Sequence, residues 1–139
     1  MKNLKVLIAS VCLTVFDFLV GIICCGYFFN WVYKLEPVNV WKPMANGSPS
    51  PFFFLSSFIM TVLFVLIYVI IQKSIPGKNK IVKGVFYGCI VTVLGILPGM
   101  IATYFFMTVN TTVIIYWTIL AAIQNPVKGV ITAFICENK

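Results

Sequence analysis

The side chains of greatest chemical interest in this sequence are its three acids, Asp17, Glu36 and Glu137. Paired carboxylates can act as general acid and base or hold a metal ion, but these three are far apart in the chain. The sequence has no histidine, which excludes an imidazole base and a His-ligated haem or metal. The adjacent Cys24 and Cys25 are not the Cys-x-x-Cys pair of a thiol oxidoreductase. We therefore expect no enzymatic activity and no cofactor.

The amino-acid composition excludes a soluble monomer. Of the 139 residues, 61% are hydrophobic and only 9% are charged, whereas soluble domains carry roughly 25% charged residues. The formal net charge is +7, but the chain has no arginine, the residue that most often reads nucleic-acid bases. We therefore expect no nucleic-acid binding. The length fits one integral membrane domain, 1–139, with the lipid bilayer as its immediate partner.

Long segments without charge predict the membrane-spanning helices. The stretches 6–33, 43–72 and 84–127 contain Asp17 as their only charged residue. A helix needs ~20 apolar residues to cross the hydrocarbon, so the first two stretches fit one crossing each. The third fits two crossings joined by a polar turn at 108–112. We predict an all-α, membrane-spanning four-helix bundle with helices at about 5–31, 51–73, 81–107 and 112–135, an outer loop 34–50 and an inner loop 74–80.

The lysines are distributed unequally between the two ends of this bundle. Only Lys34 and Lys42 fall on one side. The remaining lysines fall on the opposite side: Lys2, Lys5, Lys73, Lys78, Lys80, Lys83, Lys128 and Lys139. Because cytoplasmic loops of membrane proteins carry an excess of lysine and arginine, we expect both termini in the cytoplasm.

A small and polar stripe follows the first helix at a spacing of three or four residues: Ser10, Thr14, Asp17, Gly21 and Cys24. Asp17 lies about 11 residues from the inner end of this helix, or ~17 Å, near the middle of a ~30 Å hydrocarbon core. At this depth we predict a polar layer formed by Asp17, Thr61, Thr92 and Gln124 or Asn125. Lys128, one turn nearer the cytoplasm, either pairs with Asp17 or extends inward to the surface.

Two roles are open for Asp17. An ionisable residue at the bilayer centre costs at least ~2.5 kcal/mol and is a functional candidate by default. In the first hypothesis it is part of a buried polar clasp, bonded to Asn125 or Gln124, that sets the register of the helices. In the second it is a proton or ligand site.

Small residues indicate where the helices approach one another closely. In the third helix Gly84, Gly88, Gly95 and Gly99 are spaced four, seven and four residues apart, which predicts one helix-packing face. We expect Pro98 to kink the outer half of this helix. The fourth helix repeats the pattern more weakly with Ala122, Asn125, Gly129 and Ala133.

Several short motifs occur in a recognisable order along the chain: Phe16-Asp17-Phe18-Leu19, Val40-Trp41-Lys42-Pro43, the glycine-rich third helix, and Trp117 followed by Gln124 and Gly129. In this order the sequence resembles a family of small bacterial four-helix integral membrane proteins of unknown function. In place of a His or Trp that often follows the aspartate in that family, this chain has Val20-Gly21. The resemblance implies the topology and a bacterial plasma (inner) membrane, and it implies no activity.

These observations favour a multi-pass membrane protein that acts as an accessory or structural component, packing against a second copy or a larger membrane complex through its glycine face. The alternative is a small proton- or cation-coupled transporter that uses Asp17 as its intramembrane site and dimerises to make up for its small size.

Overall fold

A computed structural model describes residues 2–41 and 50–137, and every regular element in these ranges is helical. Four long helices are present: α1 (Lys2–Val20, continued in π-helical form by Gly21–Phe28), α2 (Pro51–Ile71), α3 (Lys80–Val91 and Leu97–Phe106, joined by a π-helical segment, Thr92–Ile96) and α4 (Thr111–Cys136). Two short 3-10 helices, Asn30–Lys34 and Val38–Val40, follow α1. Residues 42–49 of the expected outer loop lie outside the described ranges.

All four helices are long and apolar enough to cross a membrane, with spans of 26, 21, 27 and 26 residues. Side chains on the outside of the bundle are large and apolar, such as Ile70 at 77% exposure and Phe106 at 88%. A surface of this kind is stable against lipid and is not sustained in water. These findings confirm the predicted all-α class and fit a multi-pass membrane protein with four crossings.

The starts of three helices follow from capping side chains. Ser50 Oγ accepts a hydrogen bond from the Phe52 amide, immediately before Pro51 in the first turn of α2. Asn79 and Asn110 cap α3 and α4 in the same way, satisfying amide groups that the helix leaves without a partner. Helix α1 ends at Phe28, three residues before the expected position, because the chain tightens into a 3-10 helix at Asn30.

The packed core lies in the half of the bundle where α2 ends and α3 begins, which we call the inner end. Leu13, Val65, Tyr68 and Ala133 are fully buried there, and Tyr87 packs its ring against that of Tyr68 with centroids 5.2 Å apart. Helix α1 packs against α2 and α4, and the most extensive contact is between α3 and α4.

Two glycines of α3 make that contact possible. A Cβ atom at Gly84 would lie 2.5 Å from the Cα atom of Val130, and one at Gly88 would overlap the backbone of Asn125 and Pro126. Only glycine lets the two backbones approach so closely, as at small-residue interfaces in other membrane bundles.

The two outer glycines do not share this interface within the chain. A Cβ atom at Gly95 or Gly99 would meet nothing within 4 Å, so the expected single face of four glycines requires correction. The cause is the π-helical segment Thr92–Ile96. Each π turn contains an extra residue, which rotates the following residues by about 100° relative to the α-helical phase. Gly95 and Gly99 therefore point away from α4.

The same segment accommodates Pro98, which the sequence predicts as a kink. The Leu97 amide donates to Thr92 O, one residue further back than in an α-helix. The hydrogen-bond ladder is thus already shifted where proline, which lacks an amide hydrogen, enters the helix.

We expect Gly88→Ala to lower the free energy of unfolding by about 1–3 kcal/mol, the usual cost of overpacking. Gly95→Ala is the matched control: it adds the same methyl group to open space and should leave stability equal or slightly higher, because alanine favours the helix by up to ~1 kcal/mol. Unfolding of both variants in mixed micelles, followed by circular dichroism, measures the difference. Equal effects at the two positions would contradict the proposed division of the glycine face.

Candidate functional site

Asp17 and Lys128 form an ion pair between α1 and α4. Lys128 Nζ lies 2.8 Å from Asp17 Oδ2, and the ammonium group is also 5.2 Å from the centre of the Phe64 ring. The exposed fractions of the two side chains are 27% for Asp17 and 13% for Lys128. Of the two alternatives for Lys128, pairing with Asp17 is the one that the structure has.

The position of the pair follows from the lengths of the two helices. Asp17 lies 15 residues after the start of α1 at Lys2, or ~22 Å along the axis, near the centre of this 27-residue helix. Lys128 lies eight residues before the end of α4 at Cys136, and its flexible stem carries the ammonium group to the carboxylate. Opposite charges so placed attract strongly because the surroundings have a low dielectric constant.

Hydroxyl groups connect α1 with α2 one turn below Asp17. The oxygen atoms of Thr14 and Thr61 are 2.8 Å apart, and Thr61 Oγ1 also lies 3.3 Å from the carbonyl oxygen of Ser10. Thr61 and Ser10 are buried. Thr14 belongs to the polar stripe of α1, but its pairing with Thr61 was not predicted.

A third polar contact joins α3 to α4. Asn125 Nδ2 donates to Thr92 Oγ1 at 3.1 Å, and Thr92 in turn donates to the Gly88 carbonyl at 2.9 Å. Gln124, half-buried and about 100° around the helix from Asn125, makes no side-chain hydrogen bond to the described residues. The expected bond from Asp17 to Asn125 or Gln124 is therefore replaced by the pair with Lys128, because Asn125 faces α3 and not α1.

The predicted mid-membrane layer is thus three separate contacts, each between two helices. Within the described residues, no buried side-chain nitrogen or oxygen lacks a hydrogen-bond partner. Pairing of the buried groups is what hydrocarbon surroundings demand, since an unsatisfied polar group there costs several kcal/mol. Together, these contacts link α1 to α2, α1 to α4 and α3 to α4.

A second polar cluster, at the inner end, was not predicted. Glu137 Oε1 accepts hydrogen bonds from the Tyr68 hydroxyl at 2.8 Å and from Lys83 Nζ at 3.3 Å. Lys80 Nζ donates to the Glu137 carbonyl at 2.8 Å. The signal available in the sequence was that Glu137 and these lysines all fall at the same membrane surface.

Aromatic side chains close the opposite, outer end. Trp117 Nε1 donates to the Tyr33 hydroxyl at 2.8 Å, and Trp41 Nε1 donates to the Tyr33 carbonyl at 3.2 Å. Burial raises the pKa of Tyr33 to about 12, so its hydroxyl stays protonated at physiological pH. Trp and Tyr are typical of this interfacial depth, and here they fasten the segment after α1 onto α4.

Comparison with known proteins does not identify a relative: no protein-family model, curated protein or solved structure matches the chain. The resemblance to small bacterial four-helix membrane proteins therefore stays a prediction. Within the described ranges no group of three or more His, Cys, Asp or Glu residues could hold a metal ion.

A double-mutant cycle measures the ion pair. We expect Lys128→Met and Asp17→Asn each to lower the free energy of unfolding by up to about 3–5 kcal/mol, because each leaves the partner charge uncompensated inside the bundle. The double variant should lose less than the sum of the two, and the difference is the coupling energy. Gln124→Leu, a neighbour without a described hydrogen bond, is the control and should change little. Additive losses would mean that the two charges do not stabilise each other.

Proposed function

We propose that this protein is a non-enzymatic, multi-pass component of a bacterial plasma membrane with an accessory or structural role. In this proposal Asp17 and Lys128 are a structural clasp, and the protein acts through its surfaces on a second copy or a larger membrane complex. The observation that carries the proposal is the ion pair between the two helices, in which the Asp17 carboxylate is bound by Lys128 at 2.8 Å.

The energetic argument for a clasp is that the Lys128 ammonium group makes a favourable contact on each of two sides. The Lys128 ammonium faces the Asp17 carboxylate and the Phe64 ring, so its charge is compensated without water. A carboxylate that captures and releases a proton or cation must instead give up its bonding partner during each transport cycle. Releasing Asp17 would leave Lys128 unpaired within the span, at a cost of several kcal/mol.

Placement of both termini in the cytoplasm is part of the same proposal. It is supported by Lys73, Lys78, Lys80 and Lys83, which cluster where α2 ends and α3 begins, while Lys34 lies beyond the other end of α1. The side chain of Lys2 and the residues Lys42 and Lys139, which the sequence argument also uses, lie outside the described part of the structure.

A small proton- or cation-coupled transporter is the second candidate. The observation that favours it is the 27% exposure of the Asp17 side chain, which leaves part of this side chain accessible from outside the bundle. The π-helical segment that begins at Gly21, four residues later, is also a form often found near functional sites.

Reporter fusions test the orientation. A fluorescent protein attached after Lys139 should fluoresce, and alkaline phosphatase at the same place should be inactive, because the former needs the cytoplasm and the latter the periplasm. Phosphatase fused after Trp41, in the outer loop, is the control and should be active. The reverse pattern would overturn the assignment of the lysine-rich end to the cytoplasm.

Affinity purification tests the accessory role. The tagged full chain, extracted from native membranes in mild detergent, should retain a defined membrane protein or a second copy of itself, identified by mass spectrometry and absent from an equally expressed, unrelated four-helix protein. Asp17→Asn should retain that partner as long as the bundle folds.

The transporter alternative predicts a different result. In proteoliposomes containing a pH-sensitive dye and driven by a potassium diffusion potential, it predicts proton entry with the wild type and none with Asp17→Asn. Such a flux, together with a chain that purifies alone, would replace the accessory role by transport.

A further inference from the structure

The turn between α2 and α3 presents two lysines at the inner surface of the bundle. Lys73 lies two residues after the end of α2 at Ile71, and Lys78 lies two residues before the start of α3 at Lys80. Both side chains are exposed. Each therefore stands just beyond the apolar part of its helix, at the level where lipid headgroups begin.

This turn is held in place by its own residues. Ile75, between the two lysines, is only 6% exposed and belongs to the same hydrophobic cluster as Leu13 and Tyr68. Gly77 has a φ of 150°, and a Cβ atom there would lie 3.0 Å from the Lys83 side chain. The turn is thus anchored to the bundle while its cations face outward.

Positive charge at the inner end greatly exceeds negative charge. Among the described residues there, Glu137 is the only acid, and the lysines with described side chains at the same end are Lys5, Lys73, Lys78, Lys80 and Lys83. Glu137 is already bound by Lys83 through its carboxylate and by Lys80 through its carbonyl. Lys73 and Lys78 make no ion pair with any described residue.

We propose that the turn at Lys73 and Lys78 is a binding site for the headgroups of anionic phospholipids. Charge complementarity carries the proposal: two exposed ammonium groups lie at headgroup level with no acid of the described chain to neutralise them. Juxtamembrane lysines strengthen attachment to anionic lipid by about fivefold each. The binding site depends only on insertion into a membrane, and it is independent of the accessory role proposed above.

Native mass spectrometry of the purified full chain tests this site. We expect phosphatidylglycerol to be retained in preference to phosphatidylcholine at low ionic strength. Replacing both lysines, Lys73→Gln with Lys78→Gln, should lower the affinity for phosphatidylglycerol by roughly 25-fold, the product of two fivefold effects. Lys34→Gln, which removes an exposed lysine beyond the other end, is the matched control and should leave binding unchanged.

Further variants and conditions separate the possible outcomes. Lys73→Arg with Lys78→Arg keeps both charges and should keep the preference, and added salt should weaken it.

Equal retention by the wild type and the double Gln variant would overturn the proposal, as would an equal loss with Lys34→Gln. Displacement of the lipid by an equal concentration of glycerol 3-phosphate would overturn it in favour of a site for free phosphate. None of these results bears on the partner found by affinity purification.

Discussion

The organisation of this bundle depends on one constraint: a charged group inside hydrocarbon must be paired within the protein, because lipid tails cannot supply a partner. Asp17 is the most demanding such group, since it carries a charge near the middle of α1. Its pairing with Lys128 fixes α4 beside α1 and, through the Phe64 ring, places both against α2. The neutral contact of Thr92 with Asn125 does the same for α3.

Close backbone packing is the second source of order, and it is confined to the inner half. Gly84 and Gly88 allow α3 to touch the backbone of α4, and the Tyr68 and Tyr87 rings fill the neighbouring space. Beyond Thr92 the π-helical segment changes the phase of α3, and contact with α4 becomes sparse. The molecule therefore combines a tightly packed inner half with an outer half held mainly by aromatic contacts around Tyr33.

The two ends of the bundle use their polar residues differently. At the outer end, Tyr33, Trp41 and Trp117 donate and accept hydrogen bonds among themselves, so the segment after α1 is fastened without charge. At the inner end the helices are held together by ionic and hydrogen-bond contacts, with Glu137 as the shared acceptor. One acid cannot balance the surrounding lysines, and the excess charge remains at the level of the lipid headgroups.

The sequence by itself determined that the chain is helical, that four segments are long and apolar enough to cross a membrane, and that Asp17 lies near the middle of the first of them. These properties depend on residue type and on distance along one helix, both of which are read directly from the chain. Only the tertiary structure decided that Lys128 is the partner of Asp17, that Asn125 faces Thr92, and that Gly95 and Gly99 point away from α4. Those outcomes depend on the rotation of each helix about its axis, and a π-helical segment of five residues changes that rotation without any clear mark in the sequence.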